Sequence, residues 1–325
     1  MRLSGLVRRA LRLGVTDVWS TLYSTIQRSF PTSIPPKPLF IGKQRKHKHI
    51  KIDDEESQID DEPLHSPLTR RRLQRHPLYR AMRLLFLIAI PIILTLFIFA
   101  YIIYRPPNLL IRFLQWHNPS VIFHVPLPPS QRVIALTLDD APSSQTGAIL
   151  DLLKAHNAKA TFFIIGSQIS RYPGVVERIH SEGHELGNHA MTDDPSFQLP
   201  LSELERQIGE VQEMLPGNAN GERYFRPGSG WFNRGMRERV EGLGYRLALG
   251  SVYPHDPQIP RPGLNAWHVL SLVRPGSVVI MHDRRDYSVE QVGLVLKGLD
   301  EKGLKVESLG GLLAVKKAEN RKKVG

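Results

Sequence analysis

Cysteine is absent from the 325-residue sequence. The chain therefore forms no disulfide, offers no thiolate ligand to zinc and contains no cysteine nucleophile. This absence does not assign the protein to a compartment, because a domain with an adequate hydrophobic core folds without disulfide bonds. We find no internal repeat either, and the length suffices for one or two domains.

Acidic residues are fewer than basic ones, with 31 Asp and Glu against 43 Lys and Arg. The first 83 residues hold 17 of the basic and 8 of the acidic residues, so their net charge of +9 leaves only +3 for the rest. The basic run at 43–51 and the acidic run at 53–62 are blocks of like charge, which are typical of disorder. We predict a basic, largely disordered tail over residues 1–82.

The Arg-rich, partly amphipathic pattern of residues 1–30 leaves a membrane-surface helix and a transit peptide open as alternatives to a solvated tail. The basic runs resemble a nucleic-acid-binding arm, but nothing nearby supplies a fold that reads bases. We therefore expect no nucleic-acid partner.

Residues 84–104 contain no charged side chain. At about 1.5 Å per residue, such a helix spans a hydrocarbon core of roughly 30 Å, so we predict a transmembrane helix over residues 83–104. Residues 70–83 are rich in arginine, whereas only Arg105 and Arg112 follow closely. The positive-inside rule then predicts a cytoplasmic N-terminus and a lumenal or extracellular C-terminal domain. The span begins too far from Met1 for an ordinary cleaved signal peptide, so we interpret it as a signal-anchor.

Prolines are frequent in residues 105–130, which we predict to be a stalk with an apolar piece that could form a short interfacial helix. From residue 131 onward, short apolar runs alternate with amphipathic segments, which favours parallel strands joined by helices. The predicted strands are 132–138, 160–165, 185–188, 224–226, 245–250, 277–281 and 305–308. The predicted helices are 145–156, 172–182, 201–214, 234–242, 263–272 and 288–302. We predict an α/β domain over residues 131–316, a distorted seven-stranded (β/α) barrel, followed by a basic tail over 317–325.

The first chemical motif is the apolar run that ends in Asp139, Asp140, Ala141 and Pro142. Strand side chains alternate between faces, so adjacent Asp residues converge on one site only where the strand ends and the backbone turns. Pro142 supplies such a break. Paired carboxylates at the C-terminal end of a strand are typical of a barrel active site, although a simple Asx turn fits the same residues.

The second motif follows the third predicted strand. His189 and Asp193 are four residues apart, so one helical turn would place both on the same side. Together with Asp140 they form a set of two carboxylates and one imidazole for a divalent cation. Zn²⁺ fits this set, and Mn²⁺, Co²⁺ or Fe²⁺ fits as well. Asp194 is the rival ligand, with a turn before Pro195 as its other interpretation.

Three further polar residues stand at predicted strand ends. Arg226 precedes a glycine-rich loop and offers a fixed cation, or else is a surface residue. Asp256 could orient an imidazole or close a turn. His282 ends a buried strand, which suits a general acid as well as a structural histidine.

These motifs, in order along the chain, resemble the five motifs of the polysaccharide deacetylases, which include chitin, peptidoglycan and nodulation-factor deacetylases. The resemblance covers roughly residues 131–315 and implies a distorted (β/α) barrel, usually of seven strands. It also implies metal-dependent removal of N-acetyl groups from an N-acetylglucosamine-containing glycan, with the anchor as the contact to the membrane.

The resemblance implies a role for each motif residue. Asp139 would be the base and His282 the acid, while Asp140, His189 and Asp193 would bind the metal. Arg226 would position Asp139, and Asp256 would position His282. Substrate contacts would come from the Ser229 N–H, the ring of Trp231 and Met281.

The chain departs from the family pattern at several positions. Asp193 stands where most members have a second histidine, and Ala141 replaces a glycine. Gly228 and Ser229 replace proline and tyrosine, and Tyr253 replaces an aspartate. These departures indicate a divergent member. They leave open two other functions, that of an inactive glycan-binding or scaffolding protein and that of a membrane-surface adaptor.

Overall fold

The structure is a computed structural model that describes residues 77–322. The predictions for residues 1–76 and 323–325 lie outside the described residues. The chain divides into two compact units, and the boundary in the described part falls between Ile103 and Tyr104.

The first unit contains the helix α1, Pro77–Tyr104, up to Ile103. The most apolar 18-residue window of its stretch Tyr79–Tyr104 has a mean hydropathy of 2.8, and none of that window is buried. Pro91 lies inside the helix, and the Thr95 hydroxyl donates a hydrogen bond of 2.7 Å to its carbonyl oxygen. The helix is long and apolar enough to cross a membrane.

The second unit alternates strands and helices, as the sequence pattern predicts. Its strands are β1 Val133–Ala141, β2 Ala160–Ile164, β3 Glu185–Asn188, β4 Tyr224–Phe225, β5 Arg246–Leu247, β6 Val278–His282 and β7 Lys305–Glu307. Its helices are α2 Asn108–His117, α3 Thr146–Ala155, α4 Gly166–Ile169, α5 Val175–Ser181, α6 Leu201–Met214, α7 Arg234–Gly242, α8 Pro262–Leu272, α9 Ser288–Glu301 and α10 Leu309–Lys322. Short 3₁₀ turns occupy Ser196–Gln198 and Gly228–Gly230.

The strands form one parallel sheet in the order β5-β4-β3-β2-β1-β6, and β7 pairs with β1 outside this path. Isolated bridges pair Ile122, before β1, with Ala248, after β5, and pair Val252, also after β5, with Val279 of β6. These two segments extend the pairing from β5 toward β6. The predicted parallel α/β architecture is confirmed, with the sheet curled into a half-barrel. The predicted seven-stranded barrel is not confirmed, because in the described residues six strands follow one path and β7 pairs with β1 outside it.

The sheet is buried because helices cover its outer face. All nine residues of β1 are buried. Leu136 and Leu138 pack among the apolar side chains of α3 and α9, whereas Ala135 packs with Phe163 and Tyr224 in a different cluster. This alternation puts Thr137 and Asp139 on the face opposite the helices.

Part of the predicted stalk packs into this unit. The apolar piece forms α2, and its residue Ile111 is buried, as are the following residues Val121 and Phe123. The side chain of Gln115 accepts a hydrogen bond from the Phe123 N–H and donates one of 2.8 Å to the Val121 carbonyl. The end of the chain carries α10, which the sequence pattern did not predict.

Candidate active site

Asp139 lies on the inner face of β1, in register with His282 of the neighbouring strand β6. Its two carboxylate oxygens accept hydrogen bonds of 2.8 and 2.9 Å from Nη1 of Arg226. Both side chains are buried. A buried carboxylate needs such a partner, because an unpaired charge in the interior is costly.

Arg226 follows β4 and is held on several sides. Its Nε donates to the Ala248 carbonyl oxygen at 2.6 Å, and its Nη2 donates to the Thr137 hydroxyl at 3.1 Å. The guanidinium carbon lies 4.3 Å from the ring centre of Phe163. Burial lowers the pKa of Arg226, and the charge of Asp139 opposes this shift. The guanidinium therefore holds Asp139 in one orientation.

Asp140 reaches the same site through an irregularity in β1. The register between β1 and β2 shifts between Leu138 and Ala141, and Asp140 has a φ of 68°. A left-handed conformation costs a residue with a side chain about 1 kcal/mol. The prediction that the strand ends before the two carboxylates is wrong, since β1 continues to Ala141. Alternation along the strand already turns Asp139 inward, and the bulge turns Asp140 to the same side.

His189 follows β3 and presents one ring nitrogen to the site. Its Nδ1 lies 2.6 Å from the carbonyl oxygen of Arg226. A carbonyl oxygen only accepts hydrogen bonds, so Nδ1 carries the hydrogen. The other nitrogen, Nε2, lies 3.5 Å from Oδ1 of Asp140 and 3.6 Å from Oδ1 of Asp193. This tautomer leaves the lone pair of Nε2 for a ligand.

Asp193 reaches His189 without a helical turn. Residues 189–193 form no helix, so that part of the prediction is wrong. A bend with a φ of 65° at Ala190 brings the two side chains together. The carboxylate of Asp194 instead accepts a hydrogen bond of 2.7 Å from the Thr192 hydroxyl. The structure thus places Asp193, not Asp194, beside His189.

The three side chains Asp140, His189 and Asp193 could hold a metal ion. Their ligand atoms all lie within 4.8 Å of one another. Both carboxylate oxygens of Asp140 are buried, and neither accepts a hydrogen bond. Burial would raise the pKa of Asp140, but His189, His282 and Arg284 lower it well below its usual range. Burial and the neighbouring Asp140 raise the pKa of Asp193. This donor set therefore fits a divalent cation.

Arg284, which the sequence analysis did not single out, contacts both carboxylates of this set. Its Nε lies 3.0 Å from Oδ2 of Asp140, and its Nη2 lies 2.8 Å from Oδ2 of Asp193. The residue follows the His282 motif within a run of four charged residues, where the sequence gives no reason to prefer one of them. The Arg284 guanidinium therefore offsets part of the negative charge that Asp140 and Asp193 bring together.

His282 and Asp256 form another ion pair of the site. Nδ1 of His282 lies 2.8 Å from Oδ1 of Asp256, whose Oδ2 accepts the backbone N–H of His282 at 2.9 Å. Burial lowers the pKa of His282, but the carboxylates of Asp256, Asp140 and Asp139 together outweigh it and raise the pKa to about 9. His282 is therefore protonated at neutral pH, and its Nε2 can donate a proton.

Two other residues that the sequence analysis did not place in the site support it. Asp283 donates its backbone N–H to the Asp139 carbonyl at 2.9 Å, and its carboxylate accepts from Ser143 in the loop after β1 and from Thr146 at the start of α3. The ring of Tyr253 stands nearly perpendicular to that of His282, with 5.9 Å between the ring centres. These contacts fix the loop after β1 and one side of His282.

The predicted substrate contacts differ in their surroundings. Ser229 is exposed on the Gly228–Gly230 turn with a φ of 61°, and Trp231 follows the turn half-buried. Met281 is completely buried in the hydrophobic core, among side chains of the helix-facing side of the sheet. A side chain on that side offers no surface to a ligand, so the assignment of Met281 as a substrate contact is corrected to a core position.

Comparisons with known proteins agree with this arrangement of carboxylates and histidines on a parallel sheet. The sequence model of the polysaccharide deacetylase family matches residues 127–248. A peptidoglycan-N-acetylglucosamine deacetylase of Bacillus cereus is 30% identical over 196 residues, which cover 58% of this chain and 92% of that protein. A chitooligosaccharide deacetylase of Rhizobium leguminosarum is 32% identical, over 57% of this chain and 84% of that protein.

Solved structures of this family have a similar fold. The peptidoglycan deacetylase PdaC of Bacillus subtilis superposes with a TM-score of 0.56 and 30% identity, over 61% of this chain and 98% of that chain. A pseudoenzyme of carbohydrate esterase family 4 from Bacillus anthracis superposes with a TM-score of 0.54 and 25% identity, over 60% and 69%. The chain belongs to the polysaccharide deacetylase family. The resemblance inferred from the sequence motifs is confirmed.

Proposed function

We propose that the protein is a metal-dependent deacetylase that hydrolyses N-acetyl groups of an N-acetylglucosamine-containing, chitin-like polysaccharide or oligosaccharide. One observation carries the proposal. Asp139, paired with Arg226, and His282, paired with Asp256, lie on the neighbouring strands β1 and β6. The set of Asp140, His189 and Asp193 lies beside them. A base, an acid and a metal-ligand set in one buried place are the components that amide hydrolysis requires.

A divalent metal held by Asp140, His189 and Asp193 would lower the pKa of water toward about 7 and polarise the acetyl carbonyl. Zn²⁺ is the proposed metal, and Co²⁺, Mn²⁺ and Fe²⁺ suit the carboxylate-rich set as well. Asp139 accepts the proton of the attacking water. Arg226 keeps the Asp139 carboxylate in the orientation that this transfer needs, so we assign it as a positioning residue.

His282 acts as the general acid. Cleavage of the amide bond leaves a sugar amine, which departs only when its nitrogen gains a proton. Nε2 of His282 supplies this proton, because Nδ1 is engaged with Asp256 and the raised pKa keeps the imidazole charged. Asp256 is therefore a positioning residue that also tunes the acid.

The loop after β4 completes the proposed site. The backbone N–H of Ser229 donates to the oxyanion that develops as water attacks, and the ring of Trp231 offers a face to the sugar. We propose that α1 anchors the chain as a signal-anchor in a membrane, with the N-terminus cytoplasmic and the catalytic domain lumenal or extracellular. The catalytic domain would bind the acetylated glycan on the lumenal or extracellular side.

Acetate release tests the proposed function directly. The full chain, purified in detergent, is incubated with chitin oligomers and with acetylated peptidoglycan fragments, and free acetate is measured with an enzymatic assay. We expect release that stops after dialysis against a chelator and returns on addition of Zn²⁺ or Co²⁺. Release that persists in the chelated protein would contradict the metal dependence, and release from neither glycan would contradict the substrate class.

A second candidate function is that of an inactive glycan-binding or scaffolding protein. Arg284 favours it, because its guanidinium forms ion pairs with two of the three proposed metal ligands. A pseudoenzyme also occurs among the similar solved structures. Binding of chitin oligomers without acetate release, with every metal supplied, would support this candidate. The variant Arg284→Gln should then bind metal more tightly than the parent chain in a titration.

A further inference from the structure

The outward face of helix α2 is apolar. Leu109, Phe113 and Trp116 follow one another at helical spacing, and their exposed fractions are 77%, 45% and 75%. The opposite face of the helix buries Ile111 in the domain. A helix at the surface of a domain in water normally turns polar residues outward. The exposed apolar row therefore indicates a surface that contacts something less polar than water.

Helix α8 carries a second exposed apolar row, with Leu264 at 42% and Trp267 at 58% exposure. Trp267 lines a cavity of about 420 Å³ together with Ala266, Leu270 and Leu294. One turn after Trp267, the Ser271 hydroxyl accepts a hydrogen bond of 2.9 Å from Arg105.

Both helices adjoin the same part of the sheet. Residues 121–124 follow α2 and bridge Ala248, after β5, and Ser277, before β6. Helix α8 connects β5 with β6 and is joined to the start of the domain through Arg105. The segment after α2 and the helix α8 therefore meet at the junction of β5 and β6.

Helix α2 begins close to the end of α1 along the chain. Only residues 105–107 separate Tyr104, the last residue of α1, from Asn108, the first residue of α2. Four consecutive Cα–Cα steps reach about 15 Å at most. If α1 crosses a membrane, α2 begins within that distance of the membrane surface.

The charge of this region is positive. The sequence contains no Asp or Glu between Glu62 and Asp139. Arg112 is exposed on the outward face of α2. Burial and the nearby charge of Arg112 lower the pKa of Arg274. Burial and the charges of Arg274 and Arg112 lower the pKa of His124. Within residues 77–322, no carboxylate forms an ion pair with Arg112 or Arg274. Phosphate groups of lipids would complement these cations.

We propose that Leu109, Arg112, Phe113 and Trp116 of α2, together with Leu264 and Trp267 of α8, form a membrane-docking surface. It rests on the headgroup region of the bilayer in which α1 is anchored. Tryptophan and phenylalanine enter the boundary between headgroups and acyl chains, and Arg112 contacts phosphates above them. The domain is thereby held against the membrane and does not swing freely on its tether. Glycans at the membrane surface would then be its nearest substrates.

The absence of cysteine makes the surface straightforward to probe, because a single introduced cysteine takes a fluorescent label at one position. The full chain is reconstituted in phosphatidylcholine vesicles with and without phosphatidylglycerol. Labels are placed in Leu109→Cys and Trp267→Cys. The matched control is Glu177→Cys, an exposed polar position on α5 next to β2 and β3, away from the β5–β6 junction. Unfolding temperatures by circular dichroism check that each variant is folded.

Quenchers carried by lipids and iodide in the water report the environment of each label. We expect lipid-borne nitroxide to quench the labels at 109 and 267 about threefold or more as strongly as the label at 177, with the reverse order for iodide. Equal iodide quenching at all three positions would overturn the proposal. Protection from iodide without lipid quenching would also overturn it, since a protein then covers the surface. Lipid contact at only one of the two positions would refute the joined surface.

Arg112→Gln tests the charged part of the surface. In vesicles with phosphatidylglycerol, the variant should lower the lipid quenching of the label at 109 to the value found in phosphatidylcholine alone. Unchanged quenching would remove Arg112 from the surface. Acetate release from soluble chitin oligomers does not require docking, so loss of membrane contact and loss of the proposed activity are separate results.

Discussion

At the scale of single residues, the site depends on charges that are buried in pairs. Arg226 and Asp139 are both nearly inaccessible, and the guanidinium is further bound to two carbonyl oxygens and a hydroxyl. Removing one partner of a buried ion pair typically costs about 3–5 kcal/mol. Variants that keep shape and change charge are therefore the informative ones in this site.

Asp139→Asn should abolish turnover while metal binding persists. The amide keeps the size of the side chain but cannot accept the proton of water, and a general base contributes about 10²- to 10⁴-fold. Acetate release measures the first effect, and metal content of the dialysed protein measures the second. Asp194→Asn, an exposed carboxylate close to the site, is the control and should remain active. Ordinary turnover in Asp139→Asn would remove this residue from its role as base.

Asp193→Ala should weaken metal binding more than Asp194→Ala does. Asp193 lies 3.6 Å from His189, whereas Asp194 is engaged by Thr192. Loss of a direct ligand exceeds the loss of a neighbouring carboxylate, which is worth about 10- to 100-fold at most. Titration with Zn²⁺ against a competing chelator gives both affinities. The opposite order would move the ligand to position 194.

Asp256→Asn should shift the alkaline limb of the pH profile of kcat/KM to lower pH. His282 must be protonated to act as acid, and its pKa of about 9 is raised by the Asp256 carboxylate against the effect of burial. The amide removes that charge, so the imidazole loses its proton at lower pH. Rates of acetate release between pH 6 and 10 measure the shift. An alkaline limb at the same pH in both proteins would assign it to another group.

At the scale of elements, two loops depend on close contact between Gly228 and the segment that carries Asp193. A Cβ atom at position 228 would lie 2.2 Å from the Asp194 carbonyl oxygen and 3.3 Å from the carbonyl carbon of Asp193. The Gly228 N–H also donates to the hydroxyl of Ser196 at 2.9 Å. The loop after β4 and the loop after β3 are therefore positioned by one another.

Gly228→Ala should consequently lower both the unfolding temperature and the affinity for Zn²⁺, because the methyl group pushes the Asp193 segment away from His189. The destabilisation expected for such overpacking is about 1–3 kcal/mol. Gly209→Ala is the matched control. This glycine lies inside α6, and a Cβ atom added there would meet no neighbouring atom within 4 Å, so alanine should leave metal binding unchanged and raise helix stability. Equal metal affinities in the two variants would contradict the coupling of the loops.

At the scale of the whole molecule, α1 lies between the N-terminal tail and the domain after Tyr104. If the helix crosses a membrane in the proposed direction, protease added to sealed membranes that expose the cytoplasmic face should cut the N-terminal tail and spare the domain after Tyr104. The arginine-rich residues before the helix and the scarcity of charge after it are the physical reason. Fragment sizes on a gel read out the result. Digestion of the domain in intact membranes, with the tail protected, would reverse the topology.

Much of this molecule could be predicted from short stretches of sequence. The parallel α/β sheet follows from the alternation of apolar runs with amphipathic segments, and the positions of the motifs at the C-terminal ends of strands follow from the same pattern. The sequence groups Asp140, His189 and Asp193, and the structure brings their side chains within 4.8 Å of one another. The predicted local structure is partly wrong. A bulge in β1 replaces the predicted strand end, and a bend at Ala190 replaces the predicted helical turn.

Other features could not be read from the sequence. The contacts of Arg284 join positions that are 91 residues and 144 residues apart, and nothing in its local surroundings distinguishes it from Arg285. Met281 shows the opposite case, since alternation along β6 turns it to the core while its neighbour His282 faces the site.

The sequence by itself determined the apolar helix, the α/β alternation and the kinds of side chain that could carry chemistry, because each of these is set by residues that are neighbours along the chain. Only the tertiary structure decided which carboxylate stands beside His189, which arginine balances the pair and which faces of α2 and α8 are left exposed. These outcomes depend on backbone conformations such as the left-handed turn at Asp140, and on contacts between distant segments that exist only once the sheet has formed.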